Sequence, residues 1–416
     1  MACRTVLIAG AGIAGPVLAY GLDRCGMEPT VMERAAEPRR GGQNVDVRGP
    51  GRVVAARCGI EEAVRGAGTG ERGLAFVDAT GSVQAEFPAT TGDEAAEGGD
   101  GPTAELEILR GDLAQILYER TRHRVPYRFG NRITALEDDG RRVRVGFEHD
   151  REEEFDLVIA ADGLNSSTRE IAFPGQVDVR YLGLCLAYFA IAREDTDTDW
   201  WRWYAAGARR TISLRPDRHG TMRASLSFLS LSSAPARMGP AAQRELLCAE
   251  FAGAGWEAER VLHGMGRAPD FYFEAISQVR ARSFANGRVG LVGDAAWCAS
   301  PISGMGTTMA LLGGFVLAGE LARRDDHREA FAAYESIMRP YVRNAQKLPP
   351  GAPRLAHPRS RGGVRLFNTA ARLAATPLAA RVAGSLSSRT TGLGDVPDYL
   401  EINDRTDRPR HSAGKR

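Results

Sequence analysis

An α/β fold interrupted by a strand-rich insertion is the architecture this sequence predicts, and three observations predict it. First, the compact apolar run Thr5 to Ala9 passes through a glycine-rich turn into Ile13 to Arg24, a stretch suited to a helix. Strand character then returns at Glu28 to Met32, giving the order strand, helix, strand. Second, the pattern from Val177 to Val279 is rich in strands, so a second domain is expected there. Third, Arg288 to Val292 restores a short apolar strand, followed by a Gly and Pro loop and the apolar helix Thr307 to Leu321. The first domain is therefore expected to be discontinuous, made of residues 1–75, 102–176 and 280–345. A mixed-sheet domain is expected from 76–101 and 177–279, a C-terminal helical segment over 346–400, and a flexible tail over 401–416.

Composition narrows the partners. A chain of 416 residues exceeds one ordinary domain, and 43% hydrophobic with 25% charged residues is a globular balance. A formal net charge of +2, without a basic stripe outside the C-terminal tail, gives no attraction to nucleic acid or an anionic membrane. Small molecules remain as partners, for a monomer or homodimer. The six cysteines lie far apart, without the close pairing of a zinc site or redox dithiol, so no metal is expected and the thiols read as reduced. Thr5 to Leu22 is apolar, but its glycines recur at a nucleotide-binding spacing and no small-residue cleavage site follows, so a cytoplasmic protein is expected. No other apolar run reaches the roughly 18 residues of a membrane span.

The remaining elements follow in order. Thr91 to Pro102 is acidic and Gly-rich and reads as a solvated loop. Gly111 to Arg122 reads as an amphipathic helix with Leu113, Ile116 and Leu117 on one side. Ile133 to Ile159 alternates apolar and polar residues across a turn at Asp138 to Gly140, before the buried-type strand Leu157 to Ala161. Tyr181 to Ala192, Trp200 to Leu214 and Thr221 to Leu231 are candidate strands of the insertion. Residues 363–385 suggest a further helix, and Asp404 to Arg416 is polar, Arg-rich and expected to fray.

Gly10-Ala11-Gly12-Ile13-Ala14-Gly15 fits G-x-G-x-x-G between a strand and a helix, the setting that gives this pattern meaning. Gly10 permits the tight turn, Gly12 lets the backbone approach a pyrophosphate, and Gly15 permits close packing of helix on strand. The helix N-terminus, Ile13 and Ala14 included, then presents unpaired N–H groups to negative charge. Glu33, followed by Arg34, ends the second strand 18 residues after Gly15, where a carboxylate can accept from ribose hydroxyls. An acid there disfavours a 2′-phosphate, so the Rossmann-like site suits FAD or NAD better than NADP.

Two later motifs select between these. Asp162-Gly163 follows a strand within Asp162-Gly163-Leu164-Asn165-Ser166-Ser167-Thr168-Arg169, and Gly293-Asp294 follows another before Ala295-Ala296-Trp297-Cys298-Ala299-Ser300-Pro301. With these, the sequence resembles the group A flavoprotein aromatic hydroxylases, the p-hydroxybenzoate hydroxylase-like (GR2-type) family that also contains the tetracycline-inactivating monooxygenases. The resemblance covers roughly residues 1 to 345 in motif order. It implies that Asp294 hydrogen-bonds the ribityl chain and that Asp162-Gly163 lies near the FAD pyrophosphate and the NAD(P)H approach. It also implies that Arg110 contacts the phosphate and ribityl region, and that Asp46 is the acid near the flavin in the tetracycline-inactivating branch. Independently, Pro301 to Gly306 precedes a helix, so its N–H groups would stabilise charge on the reduced ring, while Gly304 and Gly306 beside Met305 leave room for the ring. The family often has His after Gly-Asp-Ala-Ala; here Trp297 and Cys298 stand there, so no proton-relay role is carried over to that position.

The resemblance implies a noncovalent FAD, NADPH or NADH as a transient co-substrate, and O2, with hydroxylation of an aromatic or polycyclic, polyketide- or tetracycline-like molecule through a flavin C4a-hydroperoxide. The cofactor carries the oxygen chemistry, so no catalytic side chain is named. Trp203, Phe228, Phe273, Trp297 and Pro301 are the candidate substrate contacts, against the alternative that aromatic residues on strands are core. Trp201-Arg202-Trp203 begins the W-x-W-x-I-P of flavin halogenases, but Tyr204-Ala205-Ala206 lacks its second half. An oxidase, dehydrogenase or reductase of the same fold is the competing enzyme class, and a non-enzymatic nucleotide-binding regulator the competing non-enzyme.

Overall fold

A computed structural model describes residues 4–39, 41–89, 104–376 and 395–399. The loop expected at 91–102, the tail from 401 and residues 377–385 of the expected C-terminal helix lie outside them.

The first sheet runs in the order Ala285–Asn286, Val289–Leu291, Leu157–Ala160, Thr5–Ala9, Glu28–Glu33 and Tyr127–Phe129, its central strands buried on both faces. All neighbours pair in parallel except the first two. Parallel strands under helices are apolar without alternation, and Val6, Leu7, Ile8 and Leu157 through Ala160 are accordingly buried. The helix Ala14–Arg24 follows the first strand and is crossed by Gly306–Arg323. That crossing is close because Gly314 has no side chain: a β-carbon there would stand 2.7 Å from the Ala14 carbonyl oxygen. The stretch expected to alternate across the turn at Asp138 to Gly140 forms a three-stranded antiparallel sheet, Ile133–Asp138, Val143–Phe147 and Glu153–Phe155.

The insertion forms a seven-stranded sheet in the order Tyr272–Ala281, Val177–Ala192, Thr221–Leu229, Arg210–Pro216, Trp201–Gly207, Gly73–Val77 and Val83–Pro88. Its last two strands come from well before the insertion. The expected strand Trp200 to Leu214 is in fact a hairpin, with Gly207 paired to Arg210 and both Ala208 and Arg209 at positive φ. Two helices, Pro240–Phe251 and Ala258–Arg267, were not expected. They contribute Leu247, Phe251, Val261 and Met265 to the core under one face of this sheet, where alternation along Thr221–Leu229 buries Met222, Ala224, Leu226 and Phe228. The helix expected over 363–385 runs Arg361–Ala374 and brings Phe367 to 5.2 Å from Phe76. Among the described residues no helix is long and apolar enough to cross a membrane, and no His, Cys, Asp or Glu cluster is arranged to hold a metal ion.

Candidate active site

The first motif folds as its chemistry requires. Gly10 sits at φ +117°, and a β-carbon on it would stand 2.3 Å from the Ala161 carbonyl oxygen; on Gly15 it would stand 2.0 Å from that of Gly10. On Gly12 it would meet only the Arg110 guanidinium, at 3.4 Å, so this glycine borders open space. No side chain caps the helix that starts at Ala14, and its first turn holds no acid, which leaves its N–H groups for an anion. Ile13 and Ala14 are themselves buried.

A groove runs from this turn past Met32, Glu33, Arg34 and Arg39 on one side and Arg110, Asp162 and Gly163 on the other. The Glu33 carboxylate accepts from the backbone N–H groups of Ala11 at 3.1 Å and Ala35 at 3.0 Å, so it fixes the glycine turn as well as facing the groove. Asp162 accepts from the Ser166 hydroxyl and from the Thr168 N–H at 3.2 Å, which ties the second motif to the start of the helix Ser167–Ala172. Arg110 opens the helix Arg110–Thr121; its N–H donates to Gln43 at 2.9 Å and that of Gly111 to Gly41 at 2.8 Å. Asp46 ends the short strand Asn44–Asp46, paired to Glu107–Leu109, and accepts from Arg48 at 2.8 Å and from the Ala104 N–H at 3.3 Å.

The third motif closes onto the first. Gly293, at φ +65°, passes so near the first helix that a β-carbon on it would touch that of Ala14 at 3.0 Å. Asp294 borders the open cleft beyond. Protein surrounds it closely enough that desolvation raises its carboxyl above the ordinary value, while Arg110 and a hydrogen bond from Cys298 oppose the rise. Pro301–Ser303 makes a single turn, Gly304 takes the left-handed conformation, and Met305 precedes the uncapped N-terminus of the helix Gly306–Arg323. These features fit an FAD dinucleotide: a glycine cradle that side chains would fill, a ribose-side carboxylate at the strand end, and an open helix start at each end of the groove.

The inserted sheet turns its polar face to this cleft. Register places Leu186 opposite Glu274 and Tyr188 opposite Tyr272. On the same face Leu184, Leu186 and Ile276 pack with Ile302 of the Pro301–Ser303 turn. Farther along the face, Ser213 and Ser225 hydrogen-bond at 2.7 Å, and Thr211, Ser227 and His357 form a buried chain at 2.5 and 2.8 Å. Arg215 bonds Glu71 and Glu107 and lies 4.2 Å from the ring centroid of Trp201. Burial raises the Glu107 carboxyl and Arg215 opposes the rise.

Three of the expected substrate contacts are corrected. Phe228 and Phe273 share the opposite phase of the strand alternation and pack against each other at 6.5 Å in the core beneath the two helices. Trp297 is 1% exposed and packs on Phe284 and Tyr334 inside the first domain. Trp203 does lie on the cleft side, 5.5 Å from Trp201, and its indole nitrogen is buried without an acceptor. Pro301 is exposed at the turn. Tyr188, Tyr272 and Glu274 were not singled out from sequence; the polar phase of Tyr272-Phe273-Glu274 was the available signal.

Comparison with known proteins agrees with this arrangement. The model of a family described as an FAD binding domain matches residues 4–347. An uncharacterised protein of Mycobacterium tuberculosis is 39% identical over 358 residues, 84% of this chain and 95% of its own. A flavin-dependent monooxygenase of a Phoma species is 35% identical over 432 aligned positions, 97% of this chain and 99% of its own. The crystal structure of the tetracycline destructase Tet(55) superimposes with a TM-score of 0.78 at 31% identity, covering 96% of this chain and all of that one.

Proposed function

The chain belongs to the FAD binding domain family, among the group A aromatic hydroxylases, and is an FAD-dependent monooxygenase; from that premise we propose how it uses its residues and on what. Noncovalent FAD lies along the groove, with its pyrophosphate against Gly10, Gly12, Ile13, Ala14 and Gly15 and the Asp162-Gly163 turn. Its ribose meets Glu33, with Arg34 alongside, and Arg110, Asp46, Gly293 and Asp294 surround the phosphate and ribityl region. Pro301, Gly304, Met305 and Gly306 back the ring with N–H groups at the positive end of a helix. When bound, this cofactor takes a hydride from NADPH or NADH and activates O2; the protein orients the substrate and excludes water.

The substrate is a planar aromatic or polycyclic molecule, lying beside the Pro301–Ser303 turn on the sheet face that carries Tyr188, Glu274 and Trp203. The observation that carries this reading is the packing of Ile302 on Leu184, Leu186 and Ile276, which brings the inserted sheet against the loop that follows the Gly293-Asp294 motif. The similarity to a tetracycline destructase supports a polyketide- or tetracycline-like shape. NAD(P)H docks transiently, because of the two G-x-G-x-x-G matches in the sequence only Gly10 to Gly15 joins a strand to a helix, and that turn is the one we assign to FAD. We take the enzyme to be a cytoplasmic monomer or homodimer.

The test is turnover under 18O2 with NADPH or NADH and a panel including tetracycline, 1-naphthol and 2,4-dihydroxyacetophenone. One labelled oxygen in the product is expected. Turnover with all label in peroxide or water would replace oxygen insertion with oxidase or dehydrogenase chemistry.

A further inference from the structure

Glu274 is an acid among apolar neighbours with little to hold it. It shares its face of the sheet with Ile276, Leu184 and Leu186. Its one hydrogen bond among the described residues comes from the Tyr272 hydroxyl at 3.4 Å, and no cation there lies within ion-pair distance. Tyr272 itself is 42% exposed, so the pair reaches from the cleft to solvent. The charged and titratable groups facing Glu274 are Asp294, which opens the short helix Asp294–Trp297, and Cys298, which caps its end, Arg110 from its helix, and Tyr188 and Tyr272 from the two paired strands. Two carboxyls thus converge with one guanidinium, and that guanidinium also fronts the Gly12 turn. A carboxylate so placed is completed by a hydrogen-bond donor on whatever enters the cleft.

We propose that Glu274 takes a proton from the substrate, and that the enzyme accordingly selects molecules that present an ionisable phenolic or enolic hydroxyl to it. This rests on the monooxygenase reading above. In the step, a Glu274 carboxylate oxygen bonds the hydroxyl proton, the substrate O–H bond breaks, and its electron pair stays on the substrate oxygen. The phenolate or enolate so formed is richer in electrons at the adjacent carbons, which favours attack on an electrophilic oxygen. The Glu274 proton then leaves to water by way of the Tyr272 hydroxyl. Burial, with the Asp294 charge second, pushes the Glu274 carboxyl up to about 7, against the Tyr272 hydrogen bond and Arg110, and a base with that value suits proton transfer near neutrality.

The experiment compares wild-type holoenzyme with E274Q, E274D and Y272F. The probes are tetracycline, 1-naphthol and 2,4-dihydroxyacetophenone, with 1-methoxynaphthalene and 2,4-dimethoxyacetophenone as the ethers. Wild-type kcat/KM for a stimulating hydroxyl probe should rise with pH through about 7 and exceed that for its ether at least tenfold. E274Q should keep FAD, lose that rise, fall at least tenfold on the hydroxyl probe and bring the hydroxyl-to-ether ratio of kcat/KM close to one, with E274D recovering part of the preference. Y272F should slow turnover without removing the preference. An E274Q enzyme with the wild-type pH profile and preference would overturn the proposal and leave the monooxygenase reading standing. Failure of every probe to stimulate the wild type would overturn the proposal and the proposed substrate class together.

Discussion

A β-carbon on Gly15 would stand 2.0 Å from the carbonyl oxygen of Gly10, closer than any real contact of that kind. The first turn of the helix and the glycine turn before it are therefore pressed together with no slack, whereas Gly12 faces the groove.

Gly15→Ala should lose FAD during purification and unfold at a lower temperature, because backbone must move to admit the methyl group. Gly12→Ala, which meets only a flexible guanidinium, should fold with a near-normal Tm and bind FAD more weakly. Differential scanning fluorimetry with absorbance at the flavin band separates the two; equal Tm values would contradict the geometry.

Glu33→Ala removes an acceptor for two backbone N–H groups and the proposed ribose contact. A hydrogen bond to a charged group contributes about 1.5 to 3 kcal/mol, so the Kd for FAD should rise roughly ten- to a hundredfold, with Glu33→Gln milder. Titrating apoprotein by flavin fluorescence measures it. An unchanged Kd would mean that Glu33 serves the turn alone.

Phe228→Ala should destabilise the protein by about 3 to 5 kcal/mol, as removal of a buried ring does, while leaving the ranking of substrates intact in whatever protein folds. Trp203→Ala should cost less stability and alter that ranking. Denaturant melts paired with the probe panel decide; a Phe228 variant with normal stability and altered ranking would return that ring to the cleft.

His357 is held neutral by its surroundings. Burial lowers its pKa below the ordinary 6.5, against a hydrogen bond to the Pro353 carbonyl. Since Nδ1 must donate to Pro353 at 2.9 Å, Nε2 accepts from the Ser227 hydroxyl at 2.8 Å. The unfolded state binds this proton first, so the contribution is full above pH 6.5 and is lost as pH falls through the lower folded value. Protease sensitivity near residues 349–359 should rise on acidification below about pH 6, and His357→Gln should flatten that dependence. A profile identical in both proteins would exclude His357 as its source.

Much of the nucleotide domain was legible because its signals are local. Thr5–Ala9, Ala14–Arg24, Leu157–Ala160 and Gly306–Arg323 each declare themselves by a run, a glycine or a period. The insertion was less so. The turn at Ala208 and Arg209 lacks the Asn-Gly signature its positive φ angles favour; the N–H groups of those two residues are held by the Arg359 and Pro358 carbonyls, 150 residues away in sequence. The phase of Phe228 and Phe273 depends on which face the two helices cover, and that is a tertiary fact. Glu274 gained meaning only when register set it opposite Leu186 and the fold brought Asp294 across from it.

The order of the strands also bears on how the enzyme is made. Thr5–Ala9 sits between Glu28–Glu33 and Leu157–Ala160, and the latter is flanked by Val289–Leu291. A ribosome delivers these neighbours in the order first, second, third and last, with the whole insertion translated between the last two. The nascent chain can form its phosphate-facing turn early, but the wall at Gly293 and the helix that lies across Ala14–Arg24 emerge only near the end of synthesis. Capture of the dinucleotide is therefore a late event, and until then the earliest part of the chain carries an open anion-binding turn that has nothing to close over.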